Sequence, residues 1–141
     1  MRAPGFSDFV VAAVIEGALA LLLEPGRWTH GAQARADDGR PTKPEADDAK
    51  SWCVGGALRR AVFMALRPSD ESSRLRALLL VEIAARHLST LLMQDFGVPC
   101  PSRNATRHLI DWNDVVGRRQ GDVILLFRRT LGLSQRTSRA A

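Results

Sequence analysis

The chain has 141 residues and two cysteines, so it is sized for one domain and cannot be built on a disulfide framework. Its composition, dominated by Ala and Leu and without Tyr, favours helices over strands. The formal net charge of +5 comes from 18 Arg and two Lys against 15 acidic residues. The two thiols are expected to be reduced, which is typical of a cytoplasmic protein.

The positive charge is distributed unevenly along the chain. Residues 1–100 hold twelve basic and twelve acidic groups, while residues 101–141 hold eight Arg and three Asp. The whole excess of positive charge therefore belongs to the last 41 residues.

The first helix is predicted over residues 6–23, because apolar residues recur there at three- and four-residue steps. Ser7 or Asp8 is its expected N-cap, and the dipeptide Pro25-Gly26 ends it. The apolar run resembles the core of a signal peptide, but Asp8 and Glu16 make it too acidic to span a bilayer. We expect a buried amphipathic helix and no membrane partner.

A long irregular loop is predicted over about 25–48, where Gly, Pro and Asp are frequent and no period appears. Such a segment inside a single domain is unusual and points to a functional role. Trp28 is expected to hold one end of this loop against the core.

The second helix is predicted over about 46–66, with Asp47 or Asp48 as its N-cap. It contains the dipeptide Gly55-Gly56, and each Gly costs about 1 kcal/mol relative to Ala inside a helix. We expect the compensation to be a close approach by another element, namely the first helix near Gly17.

Three more helices follow. They are predicted from Ser69 to about Asp95, over 103–110 with Ser102 as N-cap, and over about 119–131 with Gly132 as the end. No strand pattern and no repeat is present. The predicted fold is all-α: a compact bundle of four to five helices in one domain, 1–132, followed by a flexible polar tail, 133–141.

The stretch IDWNDVVGRRQGDV, residues 110–123, predicts the turn before the last helix. Asn113 and Asp114 are suited to cap the turn with their side chains, and Gly117 to supply a positive φ. Arg118 is expected to pair with Asp114 or with Asp111. A divalent cation held by the Asp residues of this stretch is the alternative, but the spacing matches no known calcium loop and two Arg would repel the ion.

Three segments together resemble an uncharacterised family of small bacterial and phage proteins. They are GRWTHGAQARADDGRP at 26–41, SWCVGGALRRA at 51–61 and IDWNDVVGRRQGDVILLFRR at 110–129. The family pattern is a Trp-led loop, a Trp-Cys-x-x-Gly-Ala-Leu helix start and a Trp-Asn-Asp-x-x-Gly-Arg turn. The resemblance covers roughly residues 10–130 and implies no activity, because the family has none assigned.

The resemblance also implies that Trp28, Trp52 and Trp112 belong to one unit. We expect the three indoles to cluster and to connect the loop, the second helix and the final turn. The chain departs from the family pattern at Gln120-Gly121, which weakens the expected start of the last helix.

Chemistry at a thiol is the first enzymatic possibility. Cys53 lies near the start of the second helix, and His30 with Asn113 or Asp114 would complete a Cys-His-Asn arrangement. The alternative, which we favour, is a buried thiol acting as a small hydrophobic residue. A zinc site is not expected, because the Cys and His residues lack paired spacing. No metal or cofactor is predicted.

The function predicted from the sequence is therefore non-enzymatic: a helical interaction protein of phage or mobile-element origin that binds a host protein, including a role in counter-defence. The first alternative is an accessory protein that binds nucleic acid through the Arg-rich C-terminal region. The second is a thiol-dependent enzyme using Cys53. Residues expected to contact either a partner or nucleic acid are Arg118, Arg119, Arg128, Arg129, Arg136 and Arg139.

Overall fold

Five helices account for most of the computed structural model, which describes residues 5–100 and 104–140 and the side chains of 5–100 and 104–132. The helices are α1 (Asp8–Leu22), α2 (Val54–Leu66), α3 (Glu71–Asp95), α4 (Ala105–Asn113) and α5 (Gln120–Ala140). They pack around one hydrophobic core to which all five contribute, so the prediction of a compact, mainly α-helical bundle is confirmed.

Two short strands, which the sequence pattern did not predict, lie inside the long loop. β1 (Ala34–Arg35) pairs antiparallel with β2 (Ser51–Trp52), with Ala34 opposite Trp52. Trp28 forms a further backbone bridge to Trp52. Strands of two residues are too short to show an alternating pattern, which explains why none was expected.

Helix α1 begins one residue after Ser7, whose hydroxyl accepts a hydrogen bond from the Val10 N–H at 3.2 Å. The expected Ser7 cap is therefore confirmed. The buried side of the helix carries Val11, Val14, Ile15, Ala18 and Leu22. This face packs against α2, α3 and α5, so α1 is central to the bundle.

Helix α2 begins at Val54, eight residues later than predicted. Asp48 does not cap it, because its carboxylate binds Arg40 and the Thr42 hydroxyl within the loop. The N-cap is Cys53, whose Sγ accepts a hydrogen bond from the Gly56 N–H at 3.3 Å. The preceding residues are extended because β2 pairs them with β1.

The close approach expected at Gly55-Gly56 exists, but its partners differ from the prediction. A Cβ on Gly56 would overlap the carbonyl oxygen of Gln33, and one on Gly55 would lie 3.1 Å from Ile110. Gly17, the expected neighbour, lies against Ala61 instead. The two Gly residues thus allow the long loop and α4 to reach the start of α2.

The other helix ends also differ from the predicted ones. Asp70 caps α3 in a reciprocal arrangement with Ser73, so α3 starts at Glu71 rather than Ser69. Asn104 caps α4, while the expected cap, Ser102, lies outside the described residues. Helix α5 runs past Gly132, which therefore does not end it. The predicted tail, 133–141, lies outside the described side chains and stays a prediction.

In the described part of the chain, no helix has both the length and the apolar content needed to cross a membrane.

Candidate functional site

The side chain of Asn113, at the end of α4, joins three distant segments and is completely buried. Its Oδ1 accepts hydrogen bonds from the Trp28 indole N–H at 2.8 Å and from the Val54 N–H at 3.0 Å. Its amide donates to the Thr29 carbonyl at 3.1 Å and to the Asp114 carboxylate at 3.0 Å. All four hydrogen-bonding positions of the amide are therefore used. We call the set Trp28–Gly31, Trp52–Val54 and Trp112–Asp114 the Asn113 junction.

The three Trp residues all belong to the Asn113 junction, although the structure shows no ring contact between any two of them among the described residues. Trp52 is buried and its indole donates to the Pro44 carbonyl at 3.0 Å. Trp112 is buried too, and the Trp28 ring lies 5.7 Å from the exposed His30 ring. Backbone pairing and Asn113 therefore connect the segments that stacked indoles were expected to connect.

The exposed carboxylate of Asp114 strengthens the same connection. It accepts a hydrogen bond from the Gly31 N–H at 3.0 Å. The start of the long loop is therefore bound by the exposed side chain of Asp114 as well as by the buried side chain of Asn113. Asp111 pairs with Arg107 at 3.0 Å, and Asp122 accepts from the Arg119 N–H at 2.9 Å. The Asp residues thus have separate partners, and no group of His, Cys, Asp and Glu suited to a metal is found where the structure describes the chain.

The turn after the junction is fixed by Gly117 and Arg118. Gly117 has a φ of +88°, as predicted, which a residue with a side chain adopts only with strain. Arg118 does not pair with Asp111 or Asp114, contrary to expectation. Its Nε donates to the Trp112 carbonyl at 2.9 Å and its guanidinium lies 4.1 Å from the centre of the Trp112 ring. The contact between the guanidinium and the buried Trp112 ring is stabilising, whereas an ion pair exposed to water would contribute little to stability.

Val115 and Val116 lie on this turn and face solvent. Val115 is 51% exposed and Val116 is 100% exposed. Backbone hydrogen bonds from Val115 to Trp112 and from Arg118 to Val115 hold the two residues in place. The turn therefore presents an apolar pair on a rigid support.

The other predicted contact residues lie on α5 and at its start. Arg119, Arg128 and Arg129 are exposed, and no carboxylate lies within 4 Å of their guanidinium groups among the described residues. The side chains of Arg136 and Arg139 lie outside the described part of the chain.

Cys53 is 1% exposed, and burial raises its pKa to about 11, which outweighs the hydrogen bonds from the Gly55 and Gly56 N–H groups. A thiol with this pKa is almost entirely protonated at neutral pH. Asn113, the candidate third member of a catalytic set, has no free hydrogen-bonding position. His30 is exposed beside Trp28.

Two residues of the site region, Glu82 and Gln120, make contacts that were not found from the sequence. Glu82 of α3 binds the start of α4, accepting from the Ala105 and Thr106 N–H groups. Gln120, read as a poor cap, donates to the carbonyls of Leu22 and Glu24 at the end of α1, each at 2.7 Å. Only the contact of Glu82 could have been anticipated from the sequence, because a carboxylate on the apolar face of a helix needs a partner.

The fold and the junction define a small helical-bundle protein in which a loop, a helix start and a turn are joined by a single buried amide. The model of a family of unknown function, DUF6197, matches residues 7–132, so the chain belongs to that family. No curated protein and no solved structure matches it. The resemblance to an uncharacterised family is confirmed, whereas the phage origin and the motif assignment stay predictions.

Proposed function

We propose that the protein binds another protein through the turn Asp114–Arg119. The observation that carries this proposal is the exposed pair Val115 and Val116 on a turn that backbone hydrogen bonds and the half-buried Arg118–Trp112 hydrogen bond hold in place. A wholly exposed Val gains nothing from burial on folding, so its position on a rigid turn has no stabilising role in the isolated chain. A partner that covers the pair removes apolar surface from water without the entropy cost of ordering a mobile loop.

The charges around the turn indicate the chemistry of the partner. Arg119 is exposed beside the two Val residues, while Asp114 already binds Gly31 and Asn113. Arg is enriched at protein interfaces, and exposed apolar side chains beside it add surface that a partner can remove from water. We therefore propose a partner surface with an apolar pocket and an acidic edge. That the partner is a host protein, met in a phage or counter-defence setting, extends this proposal.

The experiment is site-specific photo-crosslinking in an extract of the native host. A benzoylphenylalanine at position 116 is expected to give a discrete cross-linked product, and the same residue at Thr90, exposed on α3, is expected to give none. Arg119→Glu, which leaves the Val pair intact, should remove the product. Equal products from positions 116 and 90, or a product unaffected by Arg119→Glu, would contradict the proposal.

Folding of the variants is checked separately. Arg119→Glu changes an exposed side chain that makes no described ion pair, so we expect the free energy of unfolding to stay within about 0.5 kcal/mol of the unmodified protein. Loss of the cross-link in a variant of unchanged stability then reports on binding alone.

A second candidate function, nucleic-acid binding, is favoured by the arginines of α5. Arg128 and Arg129 are exposed with no described acidic partner, so both are available to phosphate groups. Fluorescence anisotropy with a labelled DNA duplex at low and high salt tests this reading.

The matched variants for this test differ only in where charge is changed. Arg128→Glu with Arg129→Glu is expected to weaken binding and reduce the salt slope by about 2, since two phosphate contacts are lost. Lys43→Glu with Lys50→Glu alters net charge equally but on the loop, and should have a smaller effect. Equal effects of the two pairs, or no binding even at low salt, would exclude this candidate.

A further inference from the structure

An open apolar groove lies between α1 and α2, with Leu80 of α3 also lining it. Its volume is about 550 Å³, within the range of pockets that hold small ligands. The lining includes Phe9, Ala13, Gly17, Leu21, Ala61 and Met64. Phe9 is 82% exposed and Met64 is 50% exposed, so part of the wall stands free in water.

The groove is long and narrow. Trp52, just before α2, pairs with Arg27, just after α1, while Gly17, ten residues before Arg27, lies against Ala61, nine residues after Trp52. The two helices are therefore antiparallel, and Phe9 and Leu21 are separated by about 18 Å at 1.5 Å per residue. A Cβ added at Gly17 would meet only Ala61, at 3.5 Å. The small residues Gly17 and Ala61 therefore form the floor of the groove and leave free space above it.

Arg60 is the one charged residue among the described residues that line this groove. Its Nη1 donates to the Pro44 and Ala46 carbonyls at 3.3 Å and 2.7 Å, and its guanidinium lies 5.5 Å from the centre of the Trp52 ring. No carboxylate lies within 4 Å of it among the described residues, and no hydrogen bond of its Nε or Nη2 is found there. A half-buried guanidinium without a counter-ion is costly, and its Nε–Nη2 edge has the geometry that binds a carboxylate through two hydrogen bonds.

We propose that the groove binds a long-chain carboxylate, with the head group on Arg60 and the alkyl chain along the small residues between α1 and α2. The single cation at an otherwise apolar groove complements an amphiphile that carries one negative charge. Phe9 and Met64 lose exposed apolar surface when the chain is in place. The proposal uses none of the residues assigned to the partner-binding turn, so either proposal stands without the other.

The test is isothermal titration calorimetry with dodecanoate and 1-dodecanol, both below the concentration at which they self-associate. The two probes share an alkyl chain and differ in the head group. We expect dodecanoate to bind at least tenfold more tightly, because only the carboxylate forms charge-assisted hydrogen bonds. Equal affinities, or no binding of dodecanoate, would overturn the proposal and leave the groove to an apolar segment of another protein.

Two pairs of variants locate the binding. Ala13→Phe fills the groove and should reduce dodecanoate affinity at least tenfold, whereas Ala20→Phe, an exposed Ala of α1 outside the lining, should not. Arg60→Gln should bring dodecanoate to the affinity of dodecanol, and Arg60→Lys should restore part of the difference. Because Arg60 also binds the loop, far-ultraviolet circular dichroism and Tm are measured for both. A folded Arg60→Gln protein that still prefers dodecanoate, or Ala13→Phe binding it unchanged, contradicts the assignment.

Discussion

The Asn113 junction and the groove between α1 and α2 bring together distant parts of the chain by different physical means. At the junction, buried hydrogen bonds with defined donors and acceptors join the loop, the start of α2 and the end of α4. Along the groove, α1 and α2 meet through small apolar side chains, and a Cβ added at Gly17 would meet only Ala61 among the described residues. Directional bonds specify one arrangement, whereas apolar contact is tolerant of sliding and of a ligand.

The difference shows where each region can be altered. A buried amide leaves several polar groups without partners when it is removed, so the junction is sensitive to single changes. The groove is partly open and its exposed side chains lose little when changed.

Removing the amide at the centre of the junction is expected to have the largest effect. Asn113→Ala leaves the Val54 N–H, the Trp28 indole N–H and the Thr29 carbonyl without partners, which should cost about 4 kcal/mol of unfolding free energy. Urea denaturation measures it, with Thr90→Ala as an exposed control. A cost below about 1 kcal/mol would mean that the junction is not what holds the loop.

Gly56→Ala tests the close approach of the loop to the start of α2. The added Cβ overlaps the Gln33 carbonyl, so the loop must move away from α2, and we expect a loss of about 3 kcal/mol. Gly121→Ala adds the same methyl group to α5 in open space and should raise stability by up to about 1 kcal/mol. If the two variants changed Tm in the same direction, the loop would not be seated on α2 as described.

The reactivity of Cys53 tests whether the junction is closed to solvent. A pKa of about 11, two units above the ordinary value, lowers the thiolate fraction at neutral pH about a hundredfold. We expect iodoacetamide to label the half-buried Cys100 first and Cys53 at least a hundredfold more slowly, measured by peptide mass spectrometry. Fast labelling of Cys53 would favour the thiol-dependent enzyme instead.

The smallest expected effect concerns Glu45, which holds the loop to α2 through Arg59. Burial raises the pKa of Glu45, but two hydrogen bonds from Arg59 outweigh it, so the pKa lies below its ordinary value. A lowered folded pKa contributes stability above the unfolded pKa, and that contribution is lost as pH falls through the folded pKa.

We therefore expect the difference in stability between the unmodified protein and Glu45→Gln to shrink as pH falls from about 5 to about 3, and to be at most about 1 kcal/mol at neutral pH. Denaturation across this range measures it. Glu16→Gln, which removes an exposed carboxylate with no described ion pair, should show no such dependence. A difference in stability between the unmodified protein and Glu45→Gln that grows as pH falls would contradict the role assigned to the Glu45–Arg59 contact.

Helices were predictable where a local period and a local end signal coincided. Ser7 and Gly117 act as predicted, because a cap and a positive φ depend on a few neighbouring residues. The start of α2 was not predictable, since Trp52 and Ser51 are extended only because β1, some seventeen residues earlier, pairs with them. The partner of Gly56 was missed for the same reason.

The same distinction between local and long-range contacts applies to the candidate sites. Asn113, Asp114 and Arg118 were identified as important, but their expected roles were local, and Asn113 in fact binds residues 59 and 85 positions away. Arg60 falls by its spacing on the same helical face as Trp52, Ala57 and Ala61, but a charged residue on a helix is ordinarily in water, so no ligand role was predicted for it.

The sequence by itself determined that the chain is mainly helical and that a long irregular loop interrupts the helices, and both conclusions follow from period, composition and turn residues, which act over a few positions. That three Trp-containing segments form one unit was implied by the family resemblance instead. The tertiary structure alone decided that Asn113 is the link between the segments, that Val115 and Val116 are exposed on a hydrogen-bonded turn, and that Arg60 lines an apolar groove. Each of these features depends on contacts between residues that are far apart in the chain, and such contacts form only when the chain folds.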